Sequence, residues 1–210
     1  MPNQNQSKTT RPTVILSIMA LLGLWLIGLL ALASWYQSNY IQTFTKISPN
    51  FLNSQYTETW FKQLSTLLPA KNTATRVIQL WKPDCICNRF AQRHSLNTIK
   101  TSKDLKVDHI TLIPDATAEQ VEKLQQLNPD TKVMTLPSDS IRNWPASPSL
   151  FVESGFAKVQ YFGPLGYGAF CGESSSNIID QQLIYAQTAG KPTTPFFNVI
   201  GKGCFCRWSN

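Results

Sequence analysis

Five cysteines carry most of the chemistry open to this chain: Cys85, Cys87, Cys171, Cys204 and Cys206. Four of them fall into two C-x-C pairs, one in WKPDCICNRF and one in GKGCFCRW. Thiolates attack disulfides and bind soft metal ions, so two closely spaced pairs point to thiol–disulfide exchange or to a sulfur-ligated metal. The odd count leaves at least one thiol free, mixed with a partner or liganded. Pairing within each C-x-C would close a tight ring, and strained disulfides are the more oxidising ones. The other arrangement pairs Cys85 and Cys87 with cysteines elsewhere, the tail included, as exported domains do when disulfides serve as staples.

The elements around the first pair follow from hydrophobic pattern. Thr75 to Trp81, TRVIQLW, is a short apolar run closed by Pro83 and predicts a buried strand. Asn88 to Ile99 places Phe90, Ala91, Leu96 and Ile99 on one helix face. Lys106 to Pro114 and Lys132 to Pro137 predict two further strands. Between them lies a helix ending at Leu127 and capped by Asp115 or Thr117, with Val121, Leu124 and Leu127 as its apolar set. SPSLFVESGFAKVQYFG predicts a hairpin with Gly155 free to take a positive φ. Ser174 to Ala189 predicts a last helix stopped by Gly190. Ahead of these, Gln55 to Pro69 predicts an amphipathic helix on Trp60, Phe61, Leu64, Leu67 and Leu68. Glycine-broken KPTTPFFNVIGKGCFCRWSN carries no assignable pattern. This order gives parallel βαβ units followed by an antiparallel hairpin, hence a mixed sheet between helices.

The N-terminus sets the compartment. Thr13 to Trp35 is uncharged over about 23 residues, enough to cross a hydrocarbon core of roughly 30 Å. Lys8 and Arg11 precede it and the next basic residue is Lys46, so the positive-inside rule leaves the N-terminus in the cytoplasm and exports the rest. Ala31-Leu32-Ala33 has the form of a signal-peptide cleavage site, but the apolar run exceeds the usual length of such segments, which favours an uncleaved anchor. The expected organisation is residues 1–12 cytoplasmic, 13–35 transmembrane, 36–54 a polar stalk, and 55–210 an α/β domain with a cysteine-rich tail. An exported location also makes disulfide chemistry natural.

The strand–turn–cysteine–helix of VIQLWKPDC and the later SPSLFVESGFAKVQYFG together resemble the thioredoxin-like superfamily. Within it the chain looks most like membrane-tethered periplasmic members with C-x-C in place of C-x-x-C. The resemblance implies that Cys85 is the attacking cysteine, with Cys87 or a tail cysteine as its partner. It implies that Asn88 stands where the family has its second cysteine and that Pro148 is the cis-proline shaping the substrate cleft. It also implies that Ser147 pairs with a bound thiol peptide and that Trp81 borders the site. Cys171, Cys204 and Cys206 are then disulfide-forming or second-site residues. A cysteine at a helix N-terminus gains thiolate character from the unpaired N–H groups there, whereas Asp84 beside it opposes that effect. Gln79 replaces the buried acid that many thioredoxins keep, so a proton relay from that position is absent.

Other chemistries are poorly supported. The chain carries a formal charge of +7, yet its exported part has no basic run and no aromatic–basic interleaving, which excludes nucleic acid as the expected partner. Exported thiol proteins or a membrane redox partner are the expected ones, and no cofactor is expected. Two readings stand beside redox exchange: Cu(I) or Zn(II) binding at the cysteine cluster, and a non-catalytic module stapled by its disulfides. His94 and His109 lack ligand spacing to any cysteine, so no metal ligand is assigned.

Overall fold

The computed structural model describes residues 12–168, 170–174, 176–188 and 194–208. The chain forms two compact units that divide after Asn39. The first is one helix, α1 (Pro12–Tyr40), whose described apolar side chains are exposed along its length. It is long and apolar enough to cross a membrane from Thr13 to Asn39. Lys8 and Arg11 lie outside the described residues.

The second unit begins earlier than the sequence suggests. The expected stalk is instead built into the domain as β1 (Ile41–Thr43), α2 (Phe44–Ile47) and a 3-10 turn (Pro49–Leu52). Phe44 and Phe51 are fully buried in the core, so the aromatics scattered through a polar stretch are anchors and not linker residues. α3 (Ser54–Leu67) follows, capped by Asn53 and packing Trp60, Phe61 and Leu64 inward, while Leu67 stays exposed.

Three strands with parallel neighbours come next: β2 (Arg76–Leu80), β3 (Asp108–Leu112) and β4 (Lys132–Met134), alternating with α4 (Ile86–Asp104) and α5 (Ala118–Leu127). Thr117 caps α5 through a reciprocal capping box with Gln120. The hairpin β5 (Ser149–Glu153) and β6 (Val159–Pro164) pairs antiparallel onto β2. Its turn takes positive φ at Ala157, not at Gly155. Two short strands, β7 (Gly166–Tyr167) and β8 (Glu173–Ser174), precede α6 (Ser176–Thr188); Gly190, the expected helix stop, lies outside the described residues. The unassigned tail supplies β9 (Phe196–Phe197), parallel to β6, and β10 (Lys202–Cys204), antiparallel to β1.

The main sheet therefore runs β4-β3-β2-β5-β6-β9. Side chains alternate across it: Ile78 and Leu80 of β2 point to one face with Phe151 and Phe162, while Val77 points to the other with Leu150, Val152 and Tyr161. The first face is covered by α3 and by Phe44 and Phe51, with Phe151 stacked on Phe162 at 4.3 Å. The second is covered by α4 and α6 and includes Cys85, Cys87, Cys171 and Cys204. A β2-centred mixed sheet between helices, with a helix-start cysteine after β2 and a cis Ser147–Pro148 bond before the hairpin, is a thioredoxin-like fold.

Candidate functional site

The site forms at the carboxyl end of β2, where the strand stops and the chain turns into α4. Cys85 is the N-cap residue of that 19-residue helix, held in extended conformation, and its carbonyl accepts the Asn88 N–H at 3.0 Å. Cys87 then falls inside the first turn and is fully buried. Asn88 donates from Nδ2 to the Lys82 carbonyl and its Oδ1 accepts from Ser147 Oγ at 3.3 Å. Ser147 Oγ in turn accepts the Lys82 N–H at 2.9 Å. Asn88 thus stands at the expected position but knits the β2–α4 turn to the hairpin entry instead of supplying sulfur.

Both C-x-C pairs are joined to each other. Cys85 is bonded to Cys206 and Cys87 to Cys204, with Cα–Cα distances of 5.8 and 5.3 Å. Of the partners open to Cys85 from the sequence, the tail holds the position and Cys87 does not. Three sulfurs, those of Cys85, Cys87 and Cys206, lie within 4.8 Å of one another. The non-bonded Cys87 and Cys206 sulfurs are 3.8 Å apart.

Backbone pairing puts Cys206 there. Ser147 N–H donates to the Cys206 carbonyl at 3.0 Å, and Cys206 N–H donates to the Ser147 carbonyl at 2.8 Å, a two-bond antiparallel bridge. The Ser147 edge, expected to receive a substrate peptide, is occupied by the chain's own tail. Cys85 Sγ lies 3.7 Å from the Ser147 carbonyl oxygen, and Pro148 is buried next to it. The tail is also seated on either side of Cys206. Thr43, Gln42 and Ile41 pair with Lys202, Gly203 and Cys204, and Phe205 is buried edge-on against Phe44. Lys82 Nζ donates to the Arg207 carbonyl at 2.7 Å and Trp208 Nε1 to the Pro145 carbonyl at 2.6 Å. Gly201 is required by this seating, since a Cβ there would fall 1.9 Å from the Tyr167 ring.

Cys171 belongs to the same apolar cluster but not to the sulfur group. It is a free, fully buried thiol at positive φ, in a loop gripped by α4: His94 Nε2 lies 2.6 Å from the Cys171 carbonyl oxygen and Arg93 donates to it at 3.1 Å. Burial pushes its pKa up to about 11, against smaller opposing pulls from Arg93 and the Cys204 backbone N–H. It therefore stays protonated and is a poor nucleophile at neutral pH. His94 serves that loop, while His109 is buried beside Ser102 Oγ at 3.1 Å. Neither histidine belongs to the sulfur cluster. A soft metal ion binds thiolates, which the two disulfides withhold, so metal binding at Cys85, Cys87 and Cys206 requires prior reduction.

An open groove of about 330 Å³ is lined by Trp81, Pro83, Cys85, Asn88 and Arg89 and continues to Leu127; Cys85 is the disulfide cysteine in its wall, itself buried, while its partner Cys206 is half-buried. Trp81 borders the site as expected. A larger hollow of about 770 Å³ between α3 and residues 139–143 contains no cysteine or histidine. Gln79, at the place of the missing acid, exchanges hydrogen bonds with Ser95 of α4 at 2.8 and 3.0 Å. The tail's role as a strand escaped the sequence reading because an edge strand held by backbone bonds needs no hydrophobic alternation. Gly201 and Gly203, where a backbone must pass close to Tyr167 and Phe205, were the available signal.

The family described as a domain of unknown function (DUF6436) matches residues 54–208. No curated protein matches the chain. Among solved structures it is similar to a thioredoxin-family thiol:disulfide interchange protein of Chlorobium tepidum, at 13% identity and TM-score 0.42, over 54% of this chain and 79% of that one. It is similar to a secreted disulfide oxidoreductase of Mycobacterium tuberculosis, at 10% identity and TM-score 0.41, over 52% and 80%. A hypothetical protein of Sinorhizobium meliloti aligns at 12% identity and TM-score 0.48, over 66% and 81%.

Proposed function

The chain belongs to the DUF6436 family, whose description names no chemistry, and from its own cysteines we propose that it is a membrane-anchored, extracytoplasmic thiol–disulfide exchange protein. The carrying observation is that the groove-lining cysteine at the start of α4 is bonded to a cysteine of the chain's own tail. A partner thiolate attacks Cys85 Sγ, forming a mixed disulfide and breaking the bond to Cys206, whose thiolate leaves. A second partner thiol attacks the mixed disulfide, releasing the oxidised partner and the Cys85 thiolate. The partner loses two electrons and the protein gains them, and the two protons of the partner thiols go to the protein thiolates. In reverse the reduced protein donates, and the partner's potential sets the direction.

Each named residue has a part in this reading. The N-terminal N–H groups of α4 stabilise the Cys85 thiolate as attacker and leaving group. Asn88 and Ser147 hold the turn that carries it, Pro148 fixes the hairpin entry beside it, and Trp81 walls the groove. Partners are exported thiol proteins or a membrane redox protein. The apolar α1, with basic residues ahead of it, supports a single span of the cytoplasmic membrane with the cysteine domain outside. Two disulfides fit an oxidising compartment. The test is oxidation of a fluorogenic dithiol peptide by the full chain in detergent. Cys85→Ser is expected to slow it at least about 100-fold, a loss of covalent catalysis; an unchanged rate sinks the proposal.

A further inference from the structure

The second disulfide has no access to the groove. Cys87 and Cys204 are both fully buried, so a partner thiol cannot reach that bond directly. It is, however, next to the first. When exchange at Cys85 frees Cys206, the new thiolate stands 3.8 Å from Cys87 Sγ. It cannot drift away, because the tail is held by bonds that do not depend on the Cys85–Cys206 link: the two-bond bridge to Ser147, the β1–β10 pairing, the buried Phe205, and Trp208 on the Pro145 carbonyl. Closing to disulfide distance needs roughly 2 Å of movement, and a thiolate so positioned acts at a very high effective concentration.

We propose that Cys206 relays the exchange inward: its thiolate attacks Cys87, making a Cys87–Cys206 disulfide and expelling Cys204. One S–S bond forms and one breaks, with no net change in electrons. The Cys204 thiolate takes up a proton and remains as a buried thiol, as Cys171 already is, because an apolar site favours the neutral form. With Cys206 tied to Cys87, it can no longer return to Cys85. The partner's second thiol then resolves the mixed disulfide and leaves Cys85 free at the groove. The two-electron-reduced protein therefore has one thiol lining the groove and keeps its tail covalently attached.

This step rests on the exchange reading above, and one experiment separates their failures. Oxidised full-length protein in detergent is treated with one equivalent of dithiothreitol, quenched with acid, alkylated with N-ethylmaleimide and mapped by non-reducing peptide mass spectrometry. The relay predicts that most singly reduced molecules carry a Cys87–Cys206 disulfide with alkylated Cys85 and Cys204. A retained Cys87–Cys204 disulfide with alkylated Cys85 and Cys206 overturns the relay and leaves exchange at Cys85 standing. Two disulfides that resist dithiothreitol until the chain is denatured overturn both.

Discussion

Removing one disulfide should cost far less than half of what removing both costs. Cys85–Cys206 and Cys87–Cys204 span 121 and 117 residues, one loop nested inside the other. In the chain-entropy account, closing the first loop of that size restricts the unfolded chain by about 5 kcal/mol. Once either bond exists, the other closes only the small ring formed by Cys85 to Cys87 and Cys204 to Cys206, about six residues, worth roughly 2 kcal/mol. Cys85→Ala with Cys206→Ala, or Cys87→Ala with Cys204→Ala, should each lose about 2 kcal/mol of crosslink stabilisation, and the quadruple variant about 7 kcal/mol, an interaction of about 3 kcal/mol. Lost sulfur packing adds to each pair separately and drops out of that interaction. Guanidinium unfolding of the full chain in detergent measures it, and the slope m should rise mainly in the quadruple variant, whose unfolded chain alone lacks a long crosslink. Additive losses would refute the nested-loop reasoning.

Two further effects lie away from the sulfurs. Glu153 and Arg76 pair across β5 and β2 with Arg76 Nη2 2.7 Å from Glu153 Oε2, both buried, and Lys71 Nζ is 3.3 Å from Oε1. Glu153→Ala should cost about 3–5 kcal/mol by leaving Arg76 unpaired. Peptide oxidation by the folded variant should match the parent, because the pair sits at the end of the strands opposite Ser149 and Leu80; denaturant titration and the rate assay check the two halves. His109 is neutral in the fold, its pKa lowered to about 3 by burial, and its Nε2 has no partner among the described residues. Below pH about 6.5 the unfolded chain takes up a proton that the folded one refuses, so this residue should lower stability by roughly 1.4 kcal/mol per pH unit as pH falls toward 3. His109→Leu should flatten that slope in denaturant titrations between pH 7 and 4; an unchanged slope refutes the assignment.

The sheet was largely legible because its strands obey local rules. TRVIQLW, the run ending at Pro114 and the KVMTLP segment each announce themselves by β-branched residues and bounding prolines, and Thr117 with Gln120 announces the start of α5. Legibility failed where long-range pairing overrides local pattern. The α4 face toward the sheet carries Cys87, Asn88, His94, Ser95, Thr98 and Ser102, while Leu96 is exposed, because hydrogen bonds and a disulfide satisfy what a periodicity search scores as polar. Phe44 and Phe51 sit in a stretch with a linker's composition, yet they fill the core. The cysteines themselves marked the site, and their partners could not be read because connectivity is a property of the folded tail.

The nesting of the two bonds also fixes an order in time. A chain that emerges from its N-terminus presents Cys85 and Cys87 more than a hundred residues before their partners exist. Every strand from β3 to β9 is made while those two thiols are still waiting, and residues 202–206 then bring their partners as β10 pairs with β1, the first of the described strands. A nascent chain, or one cut before Cys204, therefore offers two unbonded cysteines at the head of α4, and only a chain that includes Cys204 and Cys206 has them capped.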